Sequence, residues 1–267
     1  FFETSSNGFS VANDAHDVVG FIIFTFVLGY YLFIKTLYKK YRYEFKKKVI
    51  GPIVEQSFPG YKYSKIAKYN LKSFNSCDLF GSSANIFKAE DEIRGVVGNT
   101  MFIMTEVSAK RESGSGENRS VSTIFQGFIF QFDFNKNFES HTVVRKDYAE
   151  EQLGTYLGNK AQQLFSGKFE LIKLEDIEFE KNFAVYSTSQ QESRYLLTTS
   201  LMARLMKLKK RTGKFPISFA FYNNHFVMAL WREQNYFEPR LFGNYAPIKH
   251  FRDIYNIIAE AEFIVEE

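Results

Sequence analysis

Seventeen consecutive residues without a charge, Val18 to Ile34 (VVGFIIFTFVLGYYLFI), constrain this chain more than any other feature of its sequence. As a helix rising 1.5 Å per residue the run spans about 26 Å, close to the roughly 30 Å of a bilayer core. Lys35 follows at once, and its aliphatic stem lets Thr36, Leu37 and Tyr38 lengthen the apolar stretch while the ammonium reaches the interface. A membrane-spanning helix over 18–34 is the expected structure. A buried core helix fits poorly with the cations that come next. A cleaved signal peptide would carry its cations ahead of the apolar run and end in a small-residue cleavage site.

Residues 35–48 set Lys35, Lys39, Lys40, Arg42, Lys46, Lys47 and Lys48 against Glu44 alone, a local charge of +6. The whole chain carries +4, so everything else sums to −2 and the basic character is confined to this flank. Cations resist translocation and are drawn to anionic headgroups, by on the order of 1 kcal/mol each. These seven residues are therefore the candidate membrane-surface contacts, and the chain beyond them is expected in the cytoplasm. Tyr38, Tyr41 and Tyr43 interleave with the cations as in binders of single-stranded nucleic acid. Topology and lipid contact already account for such a stretch just inside a membrane helix, and no nucleic-acid partner is expected. Residues 3–17 are polar, with three acidic residues and no lysine or arginine. They read as part of an extracytoplasmic loop over 1–17, with Phe1 and Phe2 as the tail of an earlier apolar helix.

A basic juxtamembrane helix should run over 35–58, bent or interrupted at Gly51-Pro52. Residues 59–267 then read as one α+β domain with a mixed, antiparallel-rich sheet and room for two lobes divided near 147–168. Short alternating runs at Tyr61–Tyr63, Ile86–Lys88 and Ile93–Val97 precede a longer one at Met101–Lys110. ESGSGEN follows as a hairpin loop, and Phe128, Phe130, Phe132 and Phe134 alternate with polar or aliphatic residues as a strand with one aromatic face buried. Asp147 to Ser166 has helical spacing. Phe169–Leu174 and Phe183–Ser187 read as strands around an acidic turn. Thr198 to Ser200 offers capping hydroxyls to a helix that ends in Lys207, Lys209, Lys210 and Arg211 and stops at Gly213. Pro216 to Trp231 is a hairpin turning at Asn223-Asn224, and Pro247 to Glu267 a closing helix with Phe251, Ile254, Ile258, Ala261 and Val265 on one stripe.

The chemistry is sparse. One cysteine, Cys77, excludes an internal disulfide framework and clustered-thiolate metal sites, and reads as a small buried thiol. Histidines at 16, 141, 225 and 250 are too dispersed for a metal motif. No nucleotide-binding glycine fingerprint, phosphate loop, nucleophile elbow or metalloprotease signature occurs. The acidic run at Glu175, Asp176, Glu178 and Glu180 lacks the glycine that shapes a cation loop and reads as a solvated turn. Glu192 and Arg194 form a candidate pair, functional or structural. No catalytic residue, metal ligand or cofactor site is assigned.

One block is distinctive: Leu174-Glu175-Asp176-x-Glu178-Phe179-Glu180-Lys181-x-Phe183-x-Val185-Tyr186-Ser187, then Gln191-Glu192-x-Arg194-Tyr195-Leu196-Leu197-Thr198 and Leu201-Met202. With Glu90-Asp91-x-x-x-Gly95 and Phe237-Glu238-Pro239, it resembles the bacterial family called domain of unknown function 3137, from about Tyr41 to the end. The resemblance implies a cytoplasmic α+β domain behind membrane helices of the bacterial inner membrane, with no cofactor and no established enzyme activity. It also points, through shared gene neighbourhoods, to a LemA-type membrane protein as partner; the expected partner is such a protein or a second copy in a homo-oligomer. Ser189 and Ser193 depart from the family pattern, which has an acidic residue and an alanine there. The expected function is that of a membrane-anchored binding or scaffold protein in an inner-membrane assembly. The alternative is a membrane-tethered enzyme with an unrecognised site, for which Glu192, Arg194 and His225 would be the first suspects.

Overall fold

The computed structural model describes residues 8–133, 138–146, 167–213, 215–233 and 235–239, with residues 252, 255, 256, 258, 259 and 263 of the C-terminal stretch. It divides into two units, Phe1–Val49 and Ile50–Glu267.

In the first unit one helix, α1 (Gly8–Phe45), already begins ahead of the apolar run and carries it entirely. Every residue from 18 to 37 is exposed, as a lipid-facing helix requires, and this is the one helix among the described residues long and apolar enough to cross a membrane. Thr25 and Thr36 donate their hydroxyls to the backbone carbonyls of Ile22 and Leu32, 2.9 Å in each case, so neither leaves a polar group bare. A π-helical turn, Lys46–Ile50, follows, and the chain resumes as α2 (Gly51–Ser57) with Pro52 in its first turn and Ile50 ahead of it still at helical φ and ψ. The interruption expected at Gly51-Pro52 thus takes the form of a register change.

Among its described residues the second unit has nine strands: β1 (Lys62–Ile66), β2 (Ile86–Val97), β3 (Thr100–Ser113), β4 (Ser120–Asp133), β5 (Thr142–Lys146), β6 (Glu170–Ile172), β7 (Phe183–Ser187), β8 (Ile217–Tyr222) and β9 (His225–Trp231). Their order in the sheet is β1-β2-β3-β4-β9-β8-β5-β7-β6, antiparallel at every described pairing. Between the described strands lie α3 (Leu71–Ser76), α4 (Ile177–Glu180), α5 (Gln190–Leu196) and α6 (Thr199–Thr212). Asn70, Asp176, Ser189 and Thr198 cap them in turn, each accepting a backbone N–H with its side chain. α6 ends at Gly213, whose φ of 64° suits a residue without Cβ. β8 and β9 turn through Asn223 and Asn224 at φ 46° and 64°, the conformation of a tight two-residue hairpin.

Residues directly opposite one another across a ladder share a face. One face presents Val107, Ala109, Phe125, Ile129, Val143, Ala220 and Ala229, and is covered by Tyr69 ahead of α3, Phe74 within it, and Cys77 and Leu79 from the loop after it. The other presents Phe102, Phe128, Phe130, Phe132, Phe219 and Phe226. Its rings run on through Phe183 to Phe179 of α4, and Lys209 of α6 lies over Phe183 and bonds Asn182. Each such buried ring contributes about 1.5–3 kcal/mol.

The aromatic face expected on β4 is buried at Phe128, Phe130 and Phe132, with Phe134 outside the described residues, and the opposite face is buried as well. Ile129 is as buried as its phenylalanine neighbours, because α3 covers the side of the sheet that alternation alone would leave wet. The two short runs at 86–88 and 93–97 are one strand, β2, broken only by a bulge between Glu90 and Glu92. β3 reaches Ser113, so the hairpin loop is shorter than ESGSGEN, and the acidic turn is the short helix α4. The helix expected over 147–166 lies outside the described residues, as does the proposed division near 147–168 up to residue 166; β5 and β7, on either side, pair directly. Of the closing helix, Ile258 is helical and buried, and Phe251, Ile254, Ala261 and Val265 lie outside the described residues.

Gly127 of β4 has φ 147°, and a Cβ there would stand 2.1 Å from the carbonyl oxygen of Leu230 on β9. Neither backbone can yield without opening the central ladder. Gly127→Ala should lose about 1–3 kcal/mol of stability, read from urea unfolding of the detergent-solubilised chain by the fluorescence of Trp231, the residue opposite.

Candidate functional site

Three acidic residues in a row, Glu90, Asp91 and Glu92, would put two carboxylates on one face of an ordinary strand and one on the other. The bulge changes this. Glu90 stands opposite Glu106, Glu92 stands opposite Thr105, and Asp91 is the extra residue at φ 56°, fully buried. Glu92 is thereby sent to the other face, where its Oε2 accepts the Lys68 N–H at 2.7 Å and its Oε1 accepts Arg94 Nε–H at 2.6 Å.

Asp91 Oδ1 accepts the hydroxyl of Tyr63 from the neighbouring strand β1. Burial, then the Asp91 charge, pushes the Tyr63 phenol far above its ordinary pKa, so it remains a donor at any physiological pH. Glu238 arrives from the loop after β9. Phe237, fully buried, anchors that loop with its ring 6.1 Å from Tyr63 and edge-on to Phe128 at 5.9 Å. The Tyr236 N–H donates to Glu106 Oε1 at 3.0 Å. Glu90, Asp91 and Glu238 each bring a carboxylate oxygen within 4.8 Å of the others, and Lys88 pairs with Glu90.

Oxygen atoms at that spacing suit one hard cation, with Glu90, Asp91 and Glu238 as the residues that would hold it. Sequence alone assigns no metal ligand here. Both motifs were visible in the family pattern, but nothing in sequence brings residues 147 positions apart together.

The residues singled out from sequence lie elsewhere. Lys35, Lys39, Lys40, Lys47 and Lys48 are exposed, Arg42 is half-buried and Lys46 is buried; Lys48 pairs with Glu44 at 2.9 Å, one helical turn back. Glu192 and Arg194 each hold backbone. Glu192 accepts the N–H groups of Glu139 at 3.0 Å and Ser140 at 2.6 Å, and Arg194 donates to the Lys173 carbonyl at 3.1 Å. Burial alone would raise the Glu192 pKa, yet the hydrogen bonds from Ser140 and Glu139 outweigh it and hold it below the usual carboxylate range. Ser189 caps α5, a task an acidic residue performs equally well, and Ser193 is buried with its hydroxyl on the Gln190 carbonyl. Of the acidic turn, Asp176 caps α4 and Glu180 accepts the Leu174 N–H at 2.7 Å. His225 opens β9, half-buried beside Tyr222; His250 lies outside the described residues.

Cys77 is fully buried and its thiol is pushed up to about 12 by burial, which makes it inert. The fold sets His141 beside it: the ring stacks on Tyr222 and its Nε2 lies 2.9 Å from the Cys77 carbonyl. Burial holds the His141 pKa below its ordinary value.

Tyr63→Phe should cost about 1.5–3 kcal/mol in chemical denaturation, because it removes a hydrogen bond to a buried carboxylate. Glu192 contributes stability that is present above its unfolded pKa of about 4.3 and is lost as pH falls through that value towards the lower pKa of the folded state. Glu192→Gln should therefore lower the unfolding midpoint at pH 7 and flatten its decline between pH 5 and 3.

The crystal structure of the mycobacterial trehalose monomycolate transport factor A, TtfA, aligns over 80% of this chain and 95% of its own at 8% identity, with a TM-score of 0.42, too low to argue from. No curated protein matches the chain. The family described as "Protein of unknown function (DUF3137)" matches residues 123–267, more than half of the sequence and all of its distinctive central block, and the chain, with its single candidate membrane-spanning helix, belongs to that family.

Proposed function

We propose that this protein is an assembly partner or scaffold of the bacterial inner membrane, anchored by α1, with the domain from residue 50 onward in the cytoplasm and acting by binding. The observation that carries the reading is the exposed apolar helix joined to a flank of +6. An anchor holds a domain where its partners are, and the cationic flank favours the cytoplasmic side. The partner is a membrane protein, with a LemA-type protein as the first candidate, or a second copy of this chain. The convergence of Glu90, Asp91 and Glu238 supports binding, since a focused negative charge attracts a cation or a basic surface.

The same convergence favours the second reading, a membrane-tethered enzyme, because closely set carboxylates beside a tyrosine are also acid–base machinery.

Cross-linking in intact cells, followed by gentle extraction and mass spectrometry, separates the two. A stoichiometric membrane partner or a defined homo-oligomer is the expected result, and Glu238→Gln should reduce its recovery. A monomer without partners, together with turnover abolished by Asp91→Asn, would favour the enzyme.

A further inference from the structure

Away from the carboxylate cluster, a pocket of about 260 Å³ opens between the loop after α3 and the residues that lead into β6. Phe80 and Phe169 bring aromatic rings to a lining that is otherwise largely polar and includes Asp78 and Lys168. Phe74 is buried behind Phe80, the two rings stacked at 4.8 Å. Asp78 is held at φ 48° in the loop, with its side chain still 37% accessible.

The position of Lys168 indicates what such a lining recognises. Its ammonium lies 2.8 Å from Asp78 Oδ2 and 5.2 Å from the centre of the Phe169 ring. A carboxylate on one side and an aromatic face on the other is the environment that selects an organic ammonium ion over a hydrated metal ion. Yet Lys168 is 63% exposed on a long flexible stem, and a surface pair of this kind contributes little. His141 has Nδ1 3.7 Å from the same Oδ2, and burial disfavours the charged form of its ring.

We propose that this pocket binds a small organic ammonium ion, which takes the place that the Lys168 side chain fills in its absence. Asp78 supplies the counter-charge and Phe169, with Phe80, the aromatic faces. The volume admits only a small ligand, a free amine or the amine end of a lipid headgroup.

The test uses the full chain in detergent, titrated by calorimetry with tetramethylammonium chloride and choline chloride against sodium chloride at equal ionic strength. Saturable binding is expected for both ammonium ions. Lys168→Ala should tighten it about fivefold by removing the internal competitor, whereas Phe169→Leu and Asp78→Asn should weaken it about fivefold or more. Near-UV circular dichroism checks the fold of each variant, and the exposed Lys168 is the position least able to disturb it. Weaker ammonium binding by Lys168→Ala, binding of inorganic phosphate in its stead, or no saturable ammonium binding by either the wild type or Lys168→Ala would overturn the proposal. Once it is bound, vesicles of phosphatidylethanolamine that compete with choline would identify a lipid headgroup as the source, and failure to compete a free amine.

Discussion

The covering of the sheet on both faces is the constraint on which the rest of the domain depends. β4 and β9 lie at its centre, and between them Phe128, Phe130, Phe132, Phe226 and Met228 fill one side while Ile129, Val227 and Ala229 fill the other. A strand buried on both faces loses the freedom to slip register, since a shift by one residue would exchange large rings for small side chains. Gly127 is fixed by the same packing, because the β9 backbone approaches it too closely for any side chain.

From that rigid centre the polar features take their places. The bulge at Asp91 lies on β2, two strands out, and works only because β1 and β3 hold β2 on either side: β1 contributes Tyr63 and β3 contributes Glu106. Phe237 packs on Phe128 of the central strand and so delivers Glu238 to the same point. On the opposite face, α3 must cover Phe125 and Ile129, and the loop that leaves it carries Cys77 and Asp78 to His141 and Lys168. Both polar clusters are thus by-products of how the two aromatic faces are closed.

Long-range polar contacts of this kind explain which residues were legible beforehand. Helix α6 and the β8–β9 hairpin follow from local chemistry: a threonine cap, basic residues in the last turn, a terminal glycine, and two asparagines able to take positive φ. β2 was harder to see whole, because its bulge breaks the alternation on which strand recognition relies. Glu192 and Arg194 stood out as a charged pair, whereas their hydrogen bonds go to backbone of residues 139, 140 and 173, which no reading of neighbours along the chain would select. Glu90, Asp91 and Glu238 were visible as parts of the family pattern but carried no role until they met.

The sequence by itself determined an apolar helix followed by a cationic flank, an α+β domain, the family, and most of the local elements, because each depends on spacing within a few residues or on composition. Tertiary structure alone decided that β4 is buried on both faces, that Glu92 is turned away from its neighbours, and that two motifs 147 residues apart share one carboxylate cluster. It alone placed Lys168 on Asp78, ninety residues away. Such contacts arise from sheet order, and sheet order is set by which packed arrangement buries the most aromatic surface at once.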